Sequence, residues 1–143
     1  MRKVTILTCC FIMLLSAGLP MRTYAGTESQ VASENSMLRW TNTASIFVHL
    51  SIDNGRAMMG GTVIGNTGTE SITVNAVLER VNPNGTFTHI GSWNNIRANG
   101  DVWAWERPHM VARGHYYRLT LTATVARNGV NEVVSLSRTS WAS

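Results

Sequence analysis

Residues 72–78 read Ile72-Thr73-Val74-Asn75-Ala76-Val77-Leu78, and residues 117–125 read Tyr117-Arg118-Leu119-Thr120-Leu121-Thr122-Ala123-Thr124-Val125. In both, side chains alternate with a period of two. Successive side chains of a strand point to opposite faces, so each segment has one face for a core and one for water. The first predicts Ile72, Val74, Ala76 and Leu78 on one side. The second predicts Tyr117, Leu119, Leu121, Ala123 and Val125 inside, with Arg118, Thr120, Thr122 and Thr124 outside.

The flanking sequence repeats the pattern. Ser45–Ile52 places Ile46, Val48, Leu50 and Ile52 on one face, and Asp53-Asn54-Gly55 supplies residues that accept the positive φ of a tight hairpin. Ala57–Ile64 continues the sheet, and its Gly60-Gly61 pair marks a bulge or a close backbone approach. Asn66-Thr67-Gly68 and Asn82-Pro83-Asn84-Gly85 read as turns, with a return strand over Thr86–Trp93. Asn94–Asp101 reads as a loop, and Val102–Arg107 as a short strand ended by Pro108. Arg113-Gly114 opens a last hairpin that turns at Arg127-Asn128-Gly129 into Val130–Arg138. No stretch shows a capped amphipathic helix. About seven short strands with turns every 8–12 residues predict an all-β fold, an antiparallel immunoglobulin/fibronectin III-like β-sandwich. A small closed barrel is the rival architecture. Tyr117, entering a late strand, sits where such sandwiches hold a corner tyrosine.

Residues 1–25 have a different character. Arg2 and Lys3 precede a mostly apolar run from Val4 to Gly18, followed by Pro20 and by Thr23-Tyr24-Ala25. This is the layout of a secretory signal peptide, cut between Ala25 and Gly26, with Ser16-Ala17-Gly18 as a second small-residue site. The run of about 15 residues is shorter than the roughly 18–20 that span a bilayer, so the membrane enters only through this transient segment. Cys9 and Cys10 lie too early in the run for lipidation. The mature chain is therefore cysteine-free, uses no disulfide despite export, and offers no thiol chemistry. Residues 26–36 are polar and aperiodic and read as a flexible tail, leaving 37–143 as the β-sandwich domain. The expected destination is secreted and extracellular.

The chain has 143 residues, 44% hydrophobic and 14% charged, with a formal charge of +4. Removing Arg2, Lys3 and Arg22 with the leader leaves nine Arg against eight acids, so the mature charge is only +1. Those Arg are scattered, which argues against nucleic acid as a partner.

Ser51-Ile52-Asp53-Asn54-Gly55-Arg56-Ala57, Val77-Leu78-Glu79-Arg80, the Phe87…Ile90…Trp93 spacing, Gly114-His115-Tyr116-Tyr117-Arg118-Leu119 and Asn128-Gly129…Glu132 occur in this order. Together they resemble an uncharacterised family of small secreted β-sandwich proteins from Gram-positive bacteria, a domain of unknown function, over about residues 38–138. The resemblance implies a secreted bacterial sandwich and brings no activity or catalytic residue.

Five tryptophans, Trp40, Trp93, Trp103, Trp105 and Trp141, lie beyond the leader. Trp103 and Trp105 are two apart and share a face of one strand. Facing outward, they form a flat platform for a sugar or peptide, to which Arg107 adds hydrogen bonds or stacking. Facing inward, they are core. Trp40 and Trp93 read as core or edge packing. The candidate ligand contacts are Trp103, Trp105 and Arg107.

His49, His89, His109 and His115 lack metal-presetting spacing, and Asp101 and Glu106 fall on opposite strand faces, a poor pair for glycoside hydrolysis. Gly91-Ser92-Trp93 is no nucleophile elbow. No cofactor, metal site or catalytic residue is expected. The sequence points to a secreted non-enzymatic binding module for a cell-envelope glycan or another protein. The alternative is a secreted, bacteriocin-like antagonistic or effector polypeptide.

Overall fold

The computed structural model describes residues 40–143. The leader, the Ala25–Gly26 junction and the 26–36 tail lie outside the described residues. Seven strands follow one another: β1 (Thr43–Asp53), β2 (Arg56–Gly65), β3 (Thr69–Val81), β4 (Phe87–Asn99), β5 (Val102–Met110), β6 (Tyr116–Arg127) and β7 (Val130–Trp141). They form two antiparallel sheets, ordered β1-β2-β5 and β4-β3-β6-β7. The sheets keep free edges, so the architecture is a sandwich and not a closed barrel. In the immunoglobulin constant arrangement the fourth strand lies beside the fifth. Here β4 pairs with β3 instead, the strand-switched variant of that sandwich.

The alternation places the core where the sequence predicts it. Ile72, Val74, Ala76 and Leu78 of β3 and Leu119, Leu121, Ala123 and Val125 of β6 are buried against Ile46, Leu50, Met59 and Val63 of the facing sheet. Each Val, Leu, Ile or Met among them contributes about 1.5–3 kcal/mol when fully buried. The outer face of β6 is polar, and its Thr120 and Thr122 pair with Ser137 and Ser135 of β7 through hydroxyl contacts of 2.8 and 3.2 Å. The Tyr117 hydroxyl donates to the Ala112 carbonyl at 2.9 Å, which pins the corner leading into β6.

Gly60-Gly61 resolves as close approach, since β2 keeps an unbroken register there with both neighbours. A Cβ at Gly61 would run into Leu121 of the opposite sheet and lie 2.6 Å from the Phe47 carbonyl oxygen. The β1–β2 and β6–β7 hairpins both turn on two residues of positive φ, Asn54-Gly55 (49° and 74°) and Asn128-Gly129 (51° and 72°). These are the turns whose twist matches the flanking strands.

Two boundaries differ from the sequence reading. The Asn94–Asp101 segment is strand as far as Asn99, with a register shift between Val74 and Ala76 of β3 that takes up the extra residue. Asn95 has a φ of 57° there, and its N–H donates to the Asn75 side-chain oxygen at 2.8 Å. The polar run is thus a bulge inside β4. The strand after it does not end at Pro108 but runs on to Met110. Hydrogen-bonded pairs alternate along a regular antiparallel ladder. Counting from the Asp53–Arg56 hairpin pair, Met58 exchanges its bonds with Ser51, so its other partner Pro108 turns its nitrogen to the free edge of β5. A residue without an N–H costs no ladder bond at such a position.

Candidate binding surface

The inner face of β5 carries Trp103, Trp105, Arg107 and His109 in succession, and its outer face Val102, Ala104, Glu106 and Pro108. Trp103 lies opposite Val63 and is only 1% exposed. Its indole N–H donates to the Ile96 carbonyl of β4 at 3.0 Å. Beyond this point solvent reaches the inner face. Trp105 is half-buried, Arg107 exposed and His109 half-buried.

Trp93 closes the gap from the other sheet. It pairs with Ala76, which is buried, so its ring also turns inward, and it lies back over Gly91, where a Cβ would come within 3.0 Å of the indole. The rings form a chain from core to surface. Trp103 and Trp105 are near-parallel with centroids 6.4 Å apart; Trp105 and Trp93 are tilted at 5.8 Å; Trp93 and His109 meet edge-on at 5.5 Å. The Arg107 guanidinium lies 5.7 Å from the Trp93 ring centre, within the range of cation–π attraction.

The platform of Trp103 and Trp105 is therefore not formed. The pair faces inward, and Trp103 is withdrawn as a ligand contact because a core without disulfides uses its bulk. Trp105 and Arg107 remain at the surface, and the structure adds Trp93 and His109 to them. His109 was legible as the same-face continuation of Trp105, had the strand been carried through Pro108. Trp93 joins from 12 residues away in sequence through sheet-to-sheet packing, which no local pattern encodes.

Other candidate groups lie apart. Arg118 bonds Glu79 at 2.7 Å and covers Phe87 at 3.5 Å, and Tyr116 packs against Trp141 at 4.8 Å. His89 and Ser92 are 3.2 Å apart on the exposed outer face of β4. Among the described residues no three His, Cys, Asp or Glu side chains gather as metal ligands. The outer face of the three-stranded sheet holds a shallow depression of about 440 Å³ over Gly60, bounded by Phe47, His49, Thr62, Ala104 and Glu106.

No family model and no curated protein matches the chain. Among solved structures it is similar to the sporulation control protein Spo0M from Bacillus subtilis, at 10% identity and a TM-score of 0.47, covering 72% of this chain and 50% of that one. The chain thus spans half the length of that protein. It is also similar to CsgH of R. palustris (12% identity, TM-score 0.34, covering 64% of this chain and 89% of that one). A third likeness is to the alkylpurine DNA glycosylase AlkC of Pseudomonas fluorescens bound to DNA containing an abasic site analog, at 15% identity and a TM-score of 0.35, covering 64% of this chain and 30% of that one.

Proposed function

We propose that the chain is a secreted, non-enzymatic binding module that holds a cell-envelope glycan against Trp93, Trp105, Arg107 and His109. The observation that carries this reading is the pair of half-buried indoles 5.8 Å apart, one of them beneath a guanidinium, where the sandwich opens between β4 and β5. Sugar rings present C–H faces to indoles and hydroxyls to guanidinium and imidazole nitrogens. Such apolar walls with a few polar groups are the usual make-up of a small-ligand site. The cluster is built of rings and a cation, and among the described residues no carboxylate or hydroxyl hydrogen-bonds His109, so its chemistry suits holding a ligand more than activating one. The leader at residues 1–25 supports export, which brings such a module to its ligand.

The test is co-sedimentation of the purified protein with isolated bacterial cell walls. Arg107 is exposed, so Arg107→Ala keeps the fold by circular dichroism. It is expected to lower the pelleted fraction several-fold, as is Trp93→Phe, while Phe47→Ala on the opposite face leaves it unchanged. Binding unaffected by both Arg107→Ala and Trp93→Phe overturns this site. Absence of pelleting by the wild type overturns the glycan and favours a protein partner.

A further inference from the structure

We propose that the free edge of β7 pairs with β7 of a second copy of this chain, antiparallel and centred on Ser135. Among the described residues the edge is open and regular. Arg127 and Val130 flank a two-residue turn, so they exchange both of their backbone bonds, and the β6–β7 ladder runs on to Tyr116–Trp141 without a register shift. Bonded pairs alternate along such a ladder. The even-numbered residues of β7 are therefore satisfied by β6, while Asn131, Val133, Ser135, Ser137 and Thr139 turn their N–H and C=O groups outward.

The other edges are guarded. β4 carries two register shifts, β5 turns Pro108 outward, and β1 begins with a shift between Thr43 and Ser45. Shifts and edge prolines are common protections against pairing. β7 has neither, and no lysine.

Charge favours this partner and register, with Glu132 keeping the N–H groups of Thr41, Asn42 and Thr43 in its own chain as its hydrogen-bond donors. Glu132 and Arg138 are the only charged residues of β7, and they lie symmetrically about Ser135. In an antiparallel pair of identical strands centred there, Glu132 of each copy stands opposite Arg138 of the other, on the same face. The outward groups coincide in this register as well: Val133 faces Ser137, Asn131 faces Thr139 and Ser135 faces itself. This gives about ten backbone hydrogen bonds. Moving the centre by one residue in either direction sets both charges against uncharged side chains. The contact is its own mate across a two-fold axis, so it closes as a dimer and does not grow into a fibre. The two four-stranded sheets become one sheet of eight, with β4 and the Trp93 sites at its two ends, roughly 34 Å apart at 4.8 Å per strand.

Cysteine substitution reads the register directly. Ser135 lies on the two-fold axis about 5.5 Å from its copy, within disulfide reach. Ser137 is about 14 Å from its copy, beyond it. Under mild oxidation S135C is expected to become a covalent dimer at least tenfold faster than S137C, with wild type treated alike as the control for Cys9 and Cys10. By sedimentation between about 1 μM and 1 mM, wild type is expected to dimerise and R138E, which faces Glu132 with a like charge, to do so at least tenfold more weakly. A wild type that stays monomeric throughout overturns the proposal. So does a dimer in which S137C links as fast as S135C, or one indifferent to R138E. If R138E loses its fold, the two cysteine variants decide alone.

Discussion

The indole N–H of Trp103 donates to the carbonyl oxygen of Ile96 at 3.0 Å, and this bond joins the two sheets along their β4–β5 side. Trp103 is the one fully buried residue of β5, and past it the inner face opens toward Trp105, Arg107 and His109. Trp93 stands three residues before Ile96 on the same strand.

Truncating the two tryptophans of β5 should therefore have unequal consequences. Trp103→Ala is expected to cost about 3–5 kcal/mol, the range for removing a fully buried aromatic side chain. Trp103→Phe restores bulk but leaves the Ile96 carbonyl without its donor, a loss of about 1–3 kcal/mol. Trp105→Ala, at a half-buried site, should cost less than Trp103→Ala. Urea unfolding followed by circular dichroism ranks the three, and a larger loss for Trp105→Ala would mean that the core is anchored by the wrong tryptophan.

Gly61 predicts a coupling between sheets. A methyl group there meets Leu121 and the Phe47 carbonyl oxygen, so Gly61→Ala overpacks the interior, at about 1–3 kcal/mol. Leu121→Ala alone opens a cavity and costs about 2–5 kcal/mol. The double variant puts the new methyl into the vacated space, and its loss should fall short of the sum of the single losses by about 0.5–3 kcal/mol. Relief stays incomplete because the Phe47 carbonyl has not moved. Strict additivity in denaturant midpoints would mean that the two residues do not touch.

The strands and their faces were readable because a two-residue period states directly which side chains are buried, as Ile72–Leu78 and Tyr117–Val125 illustrate. Asn54-Gly55 and Asn128-Gly129 were readable for a similar reason, since a tight hairpin demands positive φ. The reading failed where one local signal has two structural meanings. Asn94-Asn95 makes a turn or a bulge, and the Asn75 side chain across the strand decides which. Pro108 ends a central strand but not an edge strand, and edge status belongs to the sheet, not to the segment. The proposed binding cluster was half legible: the Trp105 face follows from spacing, whereas Trp93 reaches it only through the packing of one sheet on the other.

Glu132 ties the stability of the β1–β7 side to pH. Burial by itself would raise its carboxyl, but the N–H groups of Thr41, Asn42 and Thr43 donate to it at 2.6, 3.0 and 2.8 Å and hold it below the ordinary glutamate value. A group whose folded value lies below its unfolded value adds stability that is fully present above the unfolded value, and this is lost as the pH falls through the folded one. Glu132→Gln keeps the shape but presents one uncharged acceptor oxygen. It should be less stable than wild type near neutrality, and the gap should narrow as the pH drops from the ordinary glutamate value through the lowered folded one. Thermal unfolding of both proteins across that acid range, at dilutions where the chain is monomeric, checks this. A gap that stays constant through the window would show that the three N–H groups hold the side chain's shape and not its charge.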